Sequence, residues 1–290
     1  MKGGGNPMNT FKTFFLMLAL TLILIAVGNL LGGTQGMVIA FVLAAAMNFV
    51  SYWFSDKIVL AMYRAKKIEQ DDMPELYSIV RNLTGAASLP MPGLYFIDTP
   101  MPNAFATGRS PKHAAVAVTK GIVDLLDARE LSGVIAHELS HVRNRDVLIS
   151  TVAATFAGAI FILARMAQFA AIFGRGRGRS GGTSVIGLLL VAVVAPIAAV
   201  IVQMAVSRSR EYQADVSGAR ISGDPMSLAH ALKKLQAGVQ RSRAEVNPTT
   251  AHLFIVNPLS GRSLSVLFST HPPLEDRIRR LEGMAYGPIS

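Results

Sequence analysis

Two histidines and a glutamate sit within five consecutive residues, His137-Glu138-Leu139-Ser140-His141. Four residues make about one helical turn, so both imidazoles project from one face toward a common point about 2 Å from each nitrogen. The intervening glutamate lies beside that point, where it can take a proton from a metal-bound water. Leu131, Val134, Ile135, Leu139 and Val142 recur at helical spacing, which predicts a buried helix over residues 127–146. Two unrelated surface histidines would not need those apolar flanks. Buried imidazoles beside a carboxylate need a purpose, and a metal supplies one.

A zinc hydrolase takes three protein ligands and keeps a fourth position open. The chain has no cysteine, so thiolate ligands, disulfides and Fe–S clusters are excluded. The remaining candidates for the third ligand are Glu211, Asp215, His230, His252 and His271. Glu211 and Asp215 share a helix face at i, i+4. If the helices continue, His141 stands about 12 Å before one apolar run, while Glu211 stands about 8 Å and Asp215 about 14 Å after the next. One carboxylate then ligates and the other orients an imidazole from behind. Spacing favours the longer glutamate without settling the choice.

Those apolar runs organise the whole chain. Of its 290 residues, 51% are hydrophobic and only 16% charged, with a formal net charge of +10. Mean hydropathy is +0.41. A soluble domain carries about 25% charged residues, so a membrane protein is expected. Lys and Arg are spread along the chain beside apolar runs, which fits an anionic membrane face and argues against a nucleic-acid partner. Residues 14–31, 37–54, 149–173 and 185–206 are four candidate spans, each near or above the length needed to cross hydrocarbon. The loop at residues 32–36 makes the first two a hairpin, with Tyr52 and Trp53 as an interfacial anchor. That hairpin also argues against reading the first span as a cleaved signal peptide ending near Gly28. Basic residues at the span ends put both termini on the cytoplasmic side of a multi-pass inner-membrane protein. Arg165, Arg175, Arg177 and Arg179 fit poorly outside, so the second hairpin either crosses fully or is embedded without crossing.

The expected organisation is a hairpin (1–56), a first cytoplasmic catalytic part (57–148), a second hairpin (149–206) and a second catalytic part (207–290). The fold class is a mainly α membrane protein with a cytoplasmic α+β zincin-like domain. Pro74 starts a helix, residues 94–97 and 114–119 are β-prone, and Asp224-Pro225 opens another helix. Residues 114–119 form either an edge that pairs with substrate or an ordinary core strand. Asn103 and Phe105 either flank the substrate cleft or form a turn. His271 and Arg277 either stabilise an oxyanion or pack the C-terminal segment.

Beyond the pentad, Pro102 to Gly108, Asn144-Arg145-Asp146, Glu211-Tyr212-Gln213-Ala214-Asp215, and Ser269 to Pro273 with Arg277-Ile278 complete a pattern. The chain resembles the HtpX-type membrane zinc metalloproteases, relatives of the CAAX prenyl endoproteases, over nearly its whole length. The resemblance implies His137, His141 and Glu211 as ligands of one zinc ion per subunit, Glu138 as general base, and Asp215 behind a ligand. It implies cleavage of damaged or misassembled membrane proteins at the cytoplasmic face under stress. Zinc would lower the pKa of its bound water to about 7 and polarise the peptide carbonyl, with Glu138 moving the proton. A prenyl-protein endoprotease would share these residues but is expected to have more than four spans. A scaffold with a structural metal would leave Glu138 without a task.

Overall fold

Helix α1 (Pro7–Met62) is two helices joined at a kink, where Gly32 and Gly33 take non-helical angles of −142°/17° and 57°/−144°. The structure, a computed structural model, describes residues 7–149, 152, 208–241, 255 and 272–287. Residues 32–36 were expected to form a loop. Only the two glycines leave the helix, because a positive φ at Gly33 costs nothing without a Cβ. The arms then fold back closely. A Cβ on Gly28 would stand 2.5 Å from the Gly36 carbonyl oxygen, so only glycine allows this contact. Farther along, Asn48 Nδ2 donates to Thr21 Oγ1 at 2.8 Å and ties the arms together.

Among the described residues, Gly32–Phe54 is the one helix long and apolar enough to cross a membrane, with 23 residues and mean hydropathy 1.9. Thr13–Ala26 is a shorter apolar helix beside it. Phe14, Phe15, Ile39, Phe41 and Val42 stand exposed along both arms. Water would penalise that surface and lipid would not. Trp53, at the far end, carries the Arg109 guanidinium 4.6 Å from its ring centroid, so the hairpin is clamped to the polar part of the chain. The expected second hairpin, including Arg165 and Arg175 to Arg179, lies outside the described residues except for 149 and 152.

Among the described residues, four strands form one sheet in the order β1-β2-β4-β3: β1 (Lys66–Lys67), β2 (Gly93–Ile97), β3 (Ala104–Gly108) and β4 (Ala114–Thr119). β4 runs parallel to β2 with Leu94 opposite Val116, and antiparallel to β3 with Ala106 opposite Val116. β4 is therefore an inner strand, and of the two readings of residues 114–119 the core strand is the one observed. Among the described residues β1 and β3 are the terminal strands, and Phe105 lies within β3 rather than in a turn, one of the two readings for it.

Helices cover the sheet: α2 (Pro74–Ala87), α3 (Lys120–Leu125), α4 (Ala128–Asn144), α5 (Arg208–Ser222), α6 (Pro225–Arg241) and α7 (Leu274–Tyr286). α4 begins in a capping box, in which Asp127 accepts from the Glu130 N–H and the Glu130 carboxylate accepts from the Asp127 N–H. It packs against α2, α5, α6 and β3. Val134, Ile135 and Leu139 are wholly buried, each contributing about 1.5–3 kcal/mol relative to exposure. The pentad thus sits on the central helix of the core.

Candidate metal centre

Helices α4 and α5 can approach closely because of one residue. A Cβ on Gly218 would lie 2.9 Å from both the backbone N and Cα of His137. Any larger side chain would hold α5 away, so glycine at this position sets the distance between the two halves of the site. Asp215 and Glu211, about one and two turns toward the start of α5, then face the histidines.

The two carboxylates divide as the sequence allowed. Glu211 meets the outer nitrogens, with Oε1 3.6 Å from His141 Nε2 and Oε2 3.7 Å from His137 Nε2. The two Nε2 atoms are 3.2 Å apart. Ligand atoms around a tetrahedral ion with bonds of 2.0–2.1 Å stand about 3.3–3.4 Å from one another. His137, His141 and Glu211 therefore form a group that could hold a metal ion. Asp215 instead meets the rear nitrogen, its Oδ1 3.0 Å from His137 Nδ1. His230 is exposed, and His252 and His271 lie outside the described residues.

Each histidine has its own carboxylate behind it. For His141 that is Asp146, with Oδ2 3.1 Å from Nδ1. Sequence spacing gives Asp146 no such role, because it follows the end of α4. Arg145 makes the contact: its left-handed conformation, φ 57° and ψ 30°, ends the helix and turns Asp146 back. The Asp146 N–H donates to the His141 carbonyl at 3.2 Å. Only an αL residue at this C-cap could have signalled the turn, and arginine is not a residue from which to predict one.

Behind Asp215 lies Arg277, wholly buried. Its Nε donates to Asp215 Oδ2 at 2.9 Å and one terminal nitrogen to Oδ1 at 2.7 Å, a bidentate pair. The other terminal nitrogen donates to the Ile255 carbonyl at 3.1 Å. These donors serve the back of His137, and of the two readings of Arg277 they fit the packing one. Asn103, also buried, accepts from the Ile255 N–H at 3.2 Å, so Asn103 and Arg277 hold residue 255 by both ends of its backbone.

Glu138 is buried between β3 and the histidines, its Oε2 accepting from the Ala106 N–H at 3.0 Å. Burial pushes its carboxyl above the ordinary glutamate range, while His137, His141 and the Ala106 N–H pull it back. Burial opposes charge on His141, but Asp146, Glu211 and Glu138 together push it up to about 10. Asp215 is lowered to about 2; burial works against this, and Arg277 and His137 overcome it. The cluster is acidic enough to favour a cation between the imidazoles. A divalent ion fits that charge as well as the spacing.

Residues 70–285 match Peptidase family M48. The chain is 57% identical over 278 residues to a "Protease HtpX homolog" of Syntrophobacter fumaroxidans, covering 94% of this chain and 99% of that one. A protein of the same description from Thermodesulfovibrio yellowstonii is 56% identical over 279 residues, with 96% and 99% covered. That of Aquifex aeolicus is 54% identical over 264 residues, with 89% and 87% covered. Among solved structures, Ste24p of S. mikatae shares the fold with a TM-score of 0.53 at 20% identity, over 95% of this chain and 66% of that one.

Proposed function

The chain belongs to peptidase family M48, and from that premise we propose a zinc endopeptidase of the inner membrane that cleaves damaged or misassembled membrane proteins at the cytoplasmic face. The observation that carries this reading is the cluster of two Nε2 atoms and one carboxylate around a single point, with a buried glutamate beside it. His137, His141 and Glu211 hold the ion, one per subunit. Zinc so held supplies Lewis acidity, acidifying water and polarising a carbonyl.

The other steps belong to the chain's own residues. Glu138, raised by burial and aimed by Ala106, takes the proton from water and passes it to the leaving nitrogen. Asp215 and Asp146 fix the orientation of the imidazoles through Nδ1 and raise their basicity as ligands. Arg277 keeps Asp215 ionised and positions it. The terminal strand β3 supports an extended substrate laid beside it, because its backbone already leads to Glu138. Membrane proteins suit as substrates, since exposed apolar arms put the site close to the bilayer.

Glu138→Gln tests the reading directly. The amide cannot accept the proton, so casein cleavage should fall by about 10²–10⁴-fold with zinc still bound. Retained activity beside retained zinc would refute the assignment of the base. Zinc lost together with activity would mean that Glu138 holds the site together.

A further inference from the structure

Arg210 precedes Glu211 on α5 and is 9% exposed. Among the described residues, both its terminal nitrogens are buried without a hydrogen-bond partner. A guanidinium carries five donors and cannot give up its charge, so this is a costly arrangement unless something arrives to accept. The burial has a location. Asp146 and Glu211 both act on Arg210 electrostatically, and both also face His141, at 3.1 and 3.6 Å. Arg210 therefore lies next to Glu211 on α5 and near the carboxylates that face His141, whereas Arg277 already donates three hydrogen bonds.

We propose that Arg210 is a specificity-determining residue that receives a carboxylate of the peptide substrate, either an acidic side chain or the chain terminus, beside the metal centre. The planar fork of arginine matches a carboxylate with two parallel hydrogen bonds. A buried, waiting guanidinium has already lost its water, so the incoming carboxylate meets a donor pair that needs no reorganisation. Neutral peptides gain nothing comparable and bind with the donors still unsatisfied. The proposal rests on the peptidase reading.

The test uses the full-length, zinc-loaded protein in a phosphate-free detergent. Three peptides share one cleavable core: an amidated neutral form, the same form with a free C-terminal carboxylate, and an amidated form with Glu replacing Gln near the cleaved bond. Wild type should prefer at least one acidic peptide by about 10–100-fold in kcat/KM, mainly through KM. Which one it prefers identifies the source of the carboxylate. Arg210→Met should collapse that ratio toward one, with zinc content kept and the melting temperature not lowered, because an apolar side chain tolerates burial better than an unpaired charge. Arg210→Lys should retain part of the preference. No preference in wild type would overturn the proposal, as would an equal loss for all three peptides, which would mark a general structural or oxyanion role. A preference that appears only when anionic phospholipid is added would assign Arg210 to lipid phosphate instead. If wild type cleaves none of the peptides nor casein, the peptidase reading itself fails.

Discussion

The two metal-facing histidines occupy the same helix face, one turn apart, yet are supported in opposite ways. His137 is 2% exposed at its side chain and is backed by Asp215 and Arg277, which stand 62 residues apart. Every donor named on Arg277 has a partner. His141 is 16% exposed and is backed by Asp146, five residues on along the chain. Arg210, next to Glu211 on α5, has both terminal nitrogens without a hydrogen-bond partner among the described residues. One side is closed by tertiary structure and reads as architecture. The other is held by a local turn and carries unused donors, so it is the side with capacity left for a ligand.

Breaking the closed side should have the largest effect. Arg277→Met leaves the buried Asp215 carboxylate with only His137 to partner it, and removing one partner of such a pair costs about 3–5 kcal/mol. The variant should melt at a much lower temperature than wild type and lose zinc. Adding Asp215→Asn should recover part of the stability, since no charge then remains stranded. Thermal denaturation of both proteins, with metal analysis, decides the matter. A single variant as stable as wild type would mean that Arg277 closes nothing.

The rear carboxylates sharpen the contrast. Asp215→Asn and Asp146→Asn each weaken the orientation and basicity of one imidazole, and each should cost about 10–100-fold in zinc affinity. Their stabilities should differ. Asp215→Asn also takes the counter-charge from Arg277 and should lower the melting point, whereas Asp146→Asn should lower it little. Zinc titration beside melting curves separates the two effects. Equal losses of stability would show that the two sides are not built differently after all.

The same contrast explains what could be read from the sequence. The pentad, its buried helix and the shared face of Glu211 and Asp215 rest on i, i+4 spacing, which is local and survives folding unchanged, while the choice of ligand between those two stayed open. The short Gly-rich loop between two apolar runs predicted the α1 hairpin for the same reason. β3 gave no alternating signal, because Ala104 to Gly108 is buried on both faces and follows two prolines. Strand order was out of reach, since β4 becomes an inner strand only through pairing with β3. Arg277 stood open between an oxyanion and a packing role, because its bond to Asp215 spans 62 residues and no local spacing signals it. Asp146 belonged to the pattern but received no role, because its place depends on one residue adopting φ 57°.

That residue, Arg145, gives the smallest and most local test. In the left-handed region an L-residue pays about 1–2 kcal/mol that glycine does not, while glycine costs about 0.5–1 kcal/mol more conformational entropy on folding. The terms nearly offset each other, so Arg145→Gly should leave the melting point within a few degrees and zinc affinity intact. Arg145→Val is different, because a β-branched residue resists φ near 57° most strongly. The helix end should then relax, moving Asp146 from His141 Nδ1 and reproducing the weakened zinc binding of Asp146→Asn without touching either side chain. His137, whose support comes from α5 and α7, should be unaffected by both changes. Zinc affinity unchanged in Arg145→Val would mean that Asp146 reaches His141 without the turn, and the local character of that side would have to be given up.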